Sequence, residues 1–367
     1  MKKLSLTSLS LTLFVISIFI LTLLLAQDIL IPFAVSVFFT YLLYPLTEAM
    51  ERRGVHRIIA ILLVIILALT ILGGAALFLS LEISNTNINL ADLKRQVNGK
   101  ADMFQDFMEL QLGVDTSTMD LYLGKITDSF FSSWQSMAGS VFTATTTTLF
   151  QLGLLPVYIF FLLFYRTKTA YFIFRLVGRK NKQKALNILR EVSTVTTQYM
   201  GGLLIVVLIL AILNSTGLLI IGIPHAMVFG VIAAVLNLIP YIGTFIGGLI
   251  PILFALFTMQ EPLEPMIKIF ALFAVIQFLE NNLITPNIVG SNIKINPLAI
   301  IISLLTANLI WGVAGMLIAV PCLAILKIIM RNIDQLEPFA YLISDRGTSK
   351  YEVSLKRIWK RIKKKHT

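Results

Sequence analysis

The chain has 367 residues, 57% of them apolar and 13% charged, with a formal net charge of +11 and a mean hydropathy of +0.86. A water-exposed surface needs more charge than that, which excludes a soluble enzyme and makes the bilayer the solvent. The basic excess reads as a topology signal on membrane loops, in preference to nucleic-acid binding.

A spanning helix needs about 20 mostly apolar residues. Behind Lys2 and Lys3, the first such stretch covers residues 4–26. It is long for a secretory signal and a second stretch, 29–46, follows at once, so it reads as an uncleaved anchor. Further spans are expected at 58–81, 141–165, 200–221 and 267–284. Two apolar regions, 225–257 and 297–329, are too long for one ordinary helix and contain breakers. The fold class is therefore an all-α polytopic membrane protein of about eight transmembrane segments, with the sixth and eighth broken or re-entrant helical hairpins.

Charge orients these segments, because Lys and Arg collect in short cytoplasmic loops. Residues 166–190 hold eight basic side chains and residues 331–367 hold ten, so both should be cytoplasmic, with Lys2, Lys3 and the Arg52, Arg53, Arg57 turn. Residues 82–140 carry eight acids against four bases and fall outside by parity. The localisation read from this is the bacterial inner membrane, multi-pass, with both termini cytoplasmic. Five regions follow: 1–81 with three spans, an extracytoplasmic helical insert at 82–140, a fourth span and basic loop at 141–200, a transport core at 201–330, and a basic amphipathic tail at 331–367. Phe104, Phe107 and Met108 in the insert have helical spacing, which fits a small subdomain over a pore entrance or a solvated spacer equally.

Parity also demands that 225–257 turn back near Asn237 to Gly243, and that 297–329 turn back near Asn308 to Gly315. A span plus hairpin, 201–257, is then followed by a span plus hairpin of opposite orientation, 267–327. Pro224, Gly243, Gly247, Gly248 and Pro251 in the first answer Pro297, Gly312, Gly315 and Pro321 in the second. Inverted repeats with broken helices are a recurring plan of secondary transporters. Two long, kinked spans are the plainer alternative.

The run Asn237-Leu-Ile-Pro240-Tyr241-Ile-Gly243, followed by Gly247, Gly248 and Pro251, resembles the signature of the AI-2E (autoinducer-2 exporter, PerM-like permease) family. The block Gln277-Phe-Leu-Glu280-Asn281-Asn282, continuing through Pro286, Gly290 and Pro297 to Gly312 and Pro321, is similar to that family as well. The resemblance covers nearly the whole chain. It implies a permease fold and a homo-oligomer, plausibly a pentamer; its implication for the substrate is weak, since some members resemble sodium or lithium/proton antiporters.

Glu280 is the residue on which a transport reading rests, because a carboxylate at membrane depth is costly and usually faces protein or a water-filled cavity. Gln277, Glu280 and Asn281, at i, i+3 and i+4, are expected on one helix face. Glu280 suits a group that gains and loses a proton or exchanges it for a cation; the structural alternative is a hydrogen-bonded Glu fastening the two hairpins. Asn237, Tyr241, Asn282, Asn287 and Asn308 add polar groups near the expected breaks, for a polyhydroxylated solute or for the broken backbone itself. The glycines and prolines at 240, 243, 247, 248, 251, 286, 290, 297, 312, 315 and 321 are hinge and packing candidates.

In the tail, Leu355, Ile358, Trp359 and Ile362 form an apolar stripe among Lys and Arg, as on a helix lying on an anionic membrane surface. No phosphate-binding G-x-x-x-x-G-K-[ST] loop occurs, so direct ATP drive is not expected. His56, His225 and His366 are scattered and Cys322 is alone, which leaves no metal-ligand spacing, no disulfide and no catalytic triad. No cofactor and no catalytic residue are expected. The sequence points to a secondary transporter or exporter of a small polar solute such as autoinducer-2. Its partners would be the lipid bilayer and that solute, and no nucleic acid. A monovalent cation (Na+/Li+)/proton antiporter, whose partners would be cation and proton, is the alternative, and a non-transporting scaffold or channel-like oligomer the third reading.

Overall fold

The computed structural model describes residues 6–85, 95, 99, 146–178, 181–240, 242–290 and 294–345. The expected insert helix at Phe104 to Met108 and the amphipathic stripe from Leu355 to Ile362 lie outside the described residues. The described residues form helices α1 (Leu6–Leu25), α2 (Gln27–Arg52), α3 (Arg57–Asn85), α4 (Thr146–Val177), α5 (Lys182–Ile221), α6 (Ala226–Leu236), α7 (Ile242–Thr258) and α8 (Leu263–Leu279). A π-helical turn, Glu280–Ile284, continues α8 into α9 (Thr285–Ile288); α10 (Pro297–Arg331) and α11 (Glu337–Leu342) complete the order. Six of the described helices are long and apolar enough to cross a membrane: those at Gln27–Arg52, Arg57–Glu82, Gly153–Val177, Lys182–Ile221, Leu263–Ile288 and Pro297–Arg331. Their outer faces are bare of polar cover, with Leu72 55% exposed in the middle of α3, a surface that only hydrocarbon or another apolar partner tolerates.

The chain divides into two compact units. The first consists of Leu25–Arg166 and Met200–Val289. In it, α2, α3 and α4 share a core of Leu43, Ile61, Val64, Ile65, Ile159 and Leu163. An ionic clamp sits beside that core. Glu51 near the end of α2 pairs with Arg166 of α4 and lies 4.0 Å from Arg57 Nε at the start of α3. Arg57 also donates to the Leu163 carbonyl at 2.8 Å, and the Arg166 guanidinium lies over the Tyr44 ring at 5.1 Å. The clamp holds Arg57 and Arg166 together at one end of the three helices.

The rest of this unit is α5 from Met200 onward, α6, α7 and α8, around a second core of Leu218, Ile223, Phe229, Ala255 and Ile269. Helices α6 and α7 are the two arms of a hairpin. A Cβ on Gly247 would meet Ala233 at 2.9 Å, and one on Gly243 would meet the Leu236 carbonyl oxygen at 1.8 Å, so the arms run antiparallel and touch backbone to backbone at the turn. The sequence dictates this break: Pro240 stands four residues after Leu236, and only a residue without a side chain fits at Gly243. The expected reversal between Asn237 and Gly243 is where the chain turns.

The second unit consists of Met1–Leu24, Thr167–Tyr199 and Gly290–Thr367. Its main feature is α10, which Asn296 opens as an N-cap, accepting from the Leu298 N–H at 2.8 Å, with Pro297 in the first helical position. Helical geometry fails inside α10 at Trp311 (φ −134°, ψ 18°) and Gly312 (φ 57°, ψ −140°). The chain reverses there, since a Cβ on Gly315 would lie 2.2 Å from the carbonyl oxygen of Ala307, eight residues back. Eight residues of continuous helix would separate them by about 12 Å. The backbone thus breaks at Asn237–Gly243 in one region and at Trp311–Gly312 in the other. Trp311 Nε1 donates to the Leu23 carbonyl of α1 at 2.9 Å and ties the second turn to the N-terminal helix.

Candidate functional site

Proline decides the local geometry around Glu280. Pro286 has no N–H to give the carbonyl four residues behind it, and the helix answers by widening. The Thr285 N–H bonds the Glu280 carbonyl five residues back, the signature of a π turn, a feature that recurs at functional sites. The Asn282 side chain donates to the Phe278 carbonyl at 2.8 Å, one turn back on the same helix.

The turn directs Glu280 inward, where the residue is 9% exposed. Asn237 Nδ2, at the C-terminal cap of α6, donates to Glu280 Oε1 at 2.7 Å. Thr244 Oγ1, in the first turn of α7, donates to Asn237 Oδ1 at 2.9 Å. Thr244, Asn237 and Glu280 thus form one directed relay that fastens both ends of the hairpin turn to the π segment. Beside it lies a cleft of about 10 Å³ lined by Asn214, Asn237, Thr244, Gln277 and Glu280, with Phe273 and Ile276 as apolar walls. That volume is near the minimum for a single water, so the site is closed in this conformation. The side chain of Asn214, 3% exposed in the C-terminal part of α5, turns an Oδ1 acceptor inward with no partner among the described residues. A buried amide oxygen without a donor is unfavourable by about 1–3 kcal/mol and marks a place where a donor fits.

Glu280, Asn237 and Gln277 come together as a group. Asn281 takes a 3.1 Å hydrogen bond from Gln277, one turn back, and is exposed where Glu280 is buried. Asn282 and Asn287 are exposed, and Asn308 is exposed on α10 in the other unit. Tyr241 lies outside the described residues. Among the hinge candidates, Pro240 and Gly243 form the first turn, Gly247 and Gly248 pack on Ala233 and Phe273, and Pro251 is fully buried inside α7. Pro286 stands in α9, Gly290 follows it with φ 79°, Gly312 makes the second turn, and Gly315 and Pro321 are buried in α10. Two site residues escaped the sequence reading. Asn214 is a lone amide inside an apolar span and could have been found by the depth argument applied to Glu280; Thr244 follows a glycine-rich turn and carries no distinguishing signal.

Residues 13–335 match the AI-2E family transporter description. The chain belongs to the AI-2E transporter family. Over 321 residues it is 29% identical to YrrI of Bacillus subtilis (strain 168), covering 84% of this chain and 87% of that protein. YueF of the same organism is 24% identical over 318 residues, 83% of this chain and 84% of YueF; both are named as proposed transport proteins. The AI-2 transport protein TqsA of Escherichia coli (strain K12) is 22% identical over 336 residues, 87% of this chain and 90% of TqsA. A transporter role and a multi-pass membrane location follow from membership of the AI-2E family together with the six long apolar helices.

Proposed function

We propose that this chain exports a small polar solute such as autoinducer-2 across the bacterial inner membrane as a secondary transporter, with the α6–α7 hairpin as the moving part over Glu280. The carrying observation is the Thr244, Asn237, Glu280 relay, which joins the hairpin turn to the π segment beside a closed polar cleft. One carboxylate among neutral amides offers donors and acceptors to an uncharged hydroxylated solute without holding it by charge. The name of TqsA supports the choice of solute. With 11 residues, α6 is about 16 Å long against about 30 Å of hydrocarbon, which favours a re-entrant hairpin over two full spans. Breaking the relay frees the turn, and closing it seals the site. The termini are cytoplasmic and the working form is a homo-oligomer, a pentamer, in the same proposal.

The test is efflux from proteoliposomes loaded with autoinducer-2 under an imposed pH gradient. Wild type is expected to empty faster than protein-free liposomes, with Glu280→Gln and Asn237→Leu slower by about tenfold or more, equivalent to about 1.4 kcal/mol at the rate-limiting step. No efflux above the protein-free rate overturns the choice of solute. Unchanged efflux in both variants overturns the site. Sodium- or lithium-evoked proton movement that vanishes in Glu280→Gln would replace the exporter with an antiporter.

A further inference from the structure

Within the unit that contains α10, a polar cavity of about 520 Å³ lies apart from the Glu280 site. The N-terminal part of α5 supplies Arg190, Glu191 and Gln198 from one face, the last turns of α10 supply Lys327 and Arg331, and α11 closes the far side with Glu337 and Tyr341. The walls are pinned by backbone: the Asn296 N–H bonds the Ile343 carbonyl at 2.9 Å, the Asp345 N–H bonds the Lys294 carbonyl at 3.0 Å, and Ile295 pairs with Ser344 as an antiparallel bridge. Four cationic side chains, Arg190, Lys294, Lys327 and Arg331, face this space against two carboxylates, Glu191 and Glu337. Glu191 is occupied, since both its oxygens take Arg331 Nη2, at 2.5 and 2.6 Å. Lys327 donates to the Lys294 carbonyl. Arg190 and Lys294 have no carboxylate partner among the described residues.

Cations gathered in one concavity repel one another, and an anion that enters removes the repulsion and gains charge-assisted hydrogen bonds. The volume falls in the range of small-molecule sites, about 300–1,000 Å³. We infer that this cavity is a binding site for a phosphate-type oxyanion, gripped by Arg190 and Lys294 while Glu191 holds Arg331 in place. Two sources carry that chemistry. An apolar groove of about 820 Å³ in the same unit is lined by Phe19, Leu23, Asn296, Cys322 and Leu342, two of them neighbours in sequence of the 295–344 bridge, and suits the acyl chain of an anionic phospholipid. A soluble phosphorylated metabolite needs the polar cavity alone.

The full-length protein in neutral detergent is titrated with inorganic phosphate, against chloride at matched ionic strength, while thermal unfolding is followed. In parallel, phosphatidylglycerol and phosphatidylcholine retained after extraction from nanodiscs are counted by native mass spectrometry. At least one arm is expected to show saturable preference for the oxyanion, weakened about tenfold in Lys294→Gln and in Arg190→Gln and unchanged in Lys184→Gln, an exposed lysine paired with Asp334 outside the cavity. Phosphate alone identifies the soluble source, and phosphatidylglycerol, with or without phosphate, identifies the headgroup. Lys294 and Arg190 sit on different segments, so one variant that fails to fold leaves the other to decide. No preference in either arm overturns the site, as does an equal loss in Lys184→Gln.

Discussion

Asn214 and Glu51 show how single side chains in this protein trade stability against work. Asn214 keeps an acceptor buried without a donor, so Asn214→Leu, close in volume, removes an unpaired polar atom. Thermal unfolding in detergent should move upward, by about 1–3 kcal/mol at the midpoint, while efflux falls. Lower stability together with intact efflux would make Asn214 a packing residue. Glu51 has the opposite character, since Arg57 and Arg166 both depend on it. Glu51→Gln should leave two guanidinium groups facing each other without a counter-charge and lower stability by about 1–3 kcal/mol, less in high salt because all three groups are partly exposed. Of this polar inventory, the sequence disclosed Glu280 by its depth in an apolar span. It did not disclose the π turn that begins at Glu280, whose hydrogen-bond shift has no residue signature beyond Pro286.

At the level of elements, the two hairpins were the most legible part of the fold. Pro240, Gly243, Gly312 and Gly315 stand where helix continuation fails, and glycine is needed because backbone meets backbone at Gly243 and φ is positive at Gly312. Gly315→Val drives a branched side chain into the Ala307 carbonyl, and Gly312→Val forces a φ of 57° with ψ of −140° on a residue that disfavours it. Each is expected to cost about 1–3 kcal/mol, read as a lower unfolding midpoint or loss of the monodisperse peak in size exclusion. Gly248→Ala serves as the mild comparison, because its Cβ meets only Phe273, at 3.3 Å.

For the whole molecule, orientation is the property most open to a direct check. Cys322 is the only cysteine, so Cys322→Ser gives a thiol-free background. In it, Lys184→Cys should react with an impermeant maleimide only in inverted vesicles, and Glu264→Cys only in right-side-out spheroplasts. Both positions are solvent-accessible, with side chains 49% and 74% exposed, so silence from one side reports topology instead of burial. Labelling on the reverse faces would invert the proposed direction of export. The membrane class was legible because hydropathy over long windows averages out local detail. The helix positions were legible because each long apolar run is bounded by charged or helix-breaking residues. The cavity beneath α11 was not, since it draws Arg190, Lys294 and Arg331 from separate segments whose meeting depends on tertiary packing.

The π turn carries one residue more than an α-helix would use over the same rise. Such an extra residue is absorbed within the turn: deleting Asn281 would let the segment close into a regular α-helix while the stretch from Asn282 to Ile288 keeps its angular setting. The Ile288–Val289 backbone would thereby stay against Gly202, where it packs closely enough that a Cβ there would meet Val289 Cα at 2.9 Å. The inserted position thus widens the helix at Glu280 without rephasing what lies downstream, and a one-residue deletion would tighten that turn without removing any charged group.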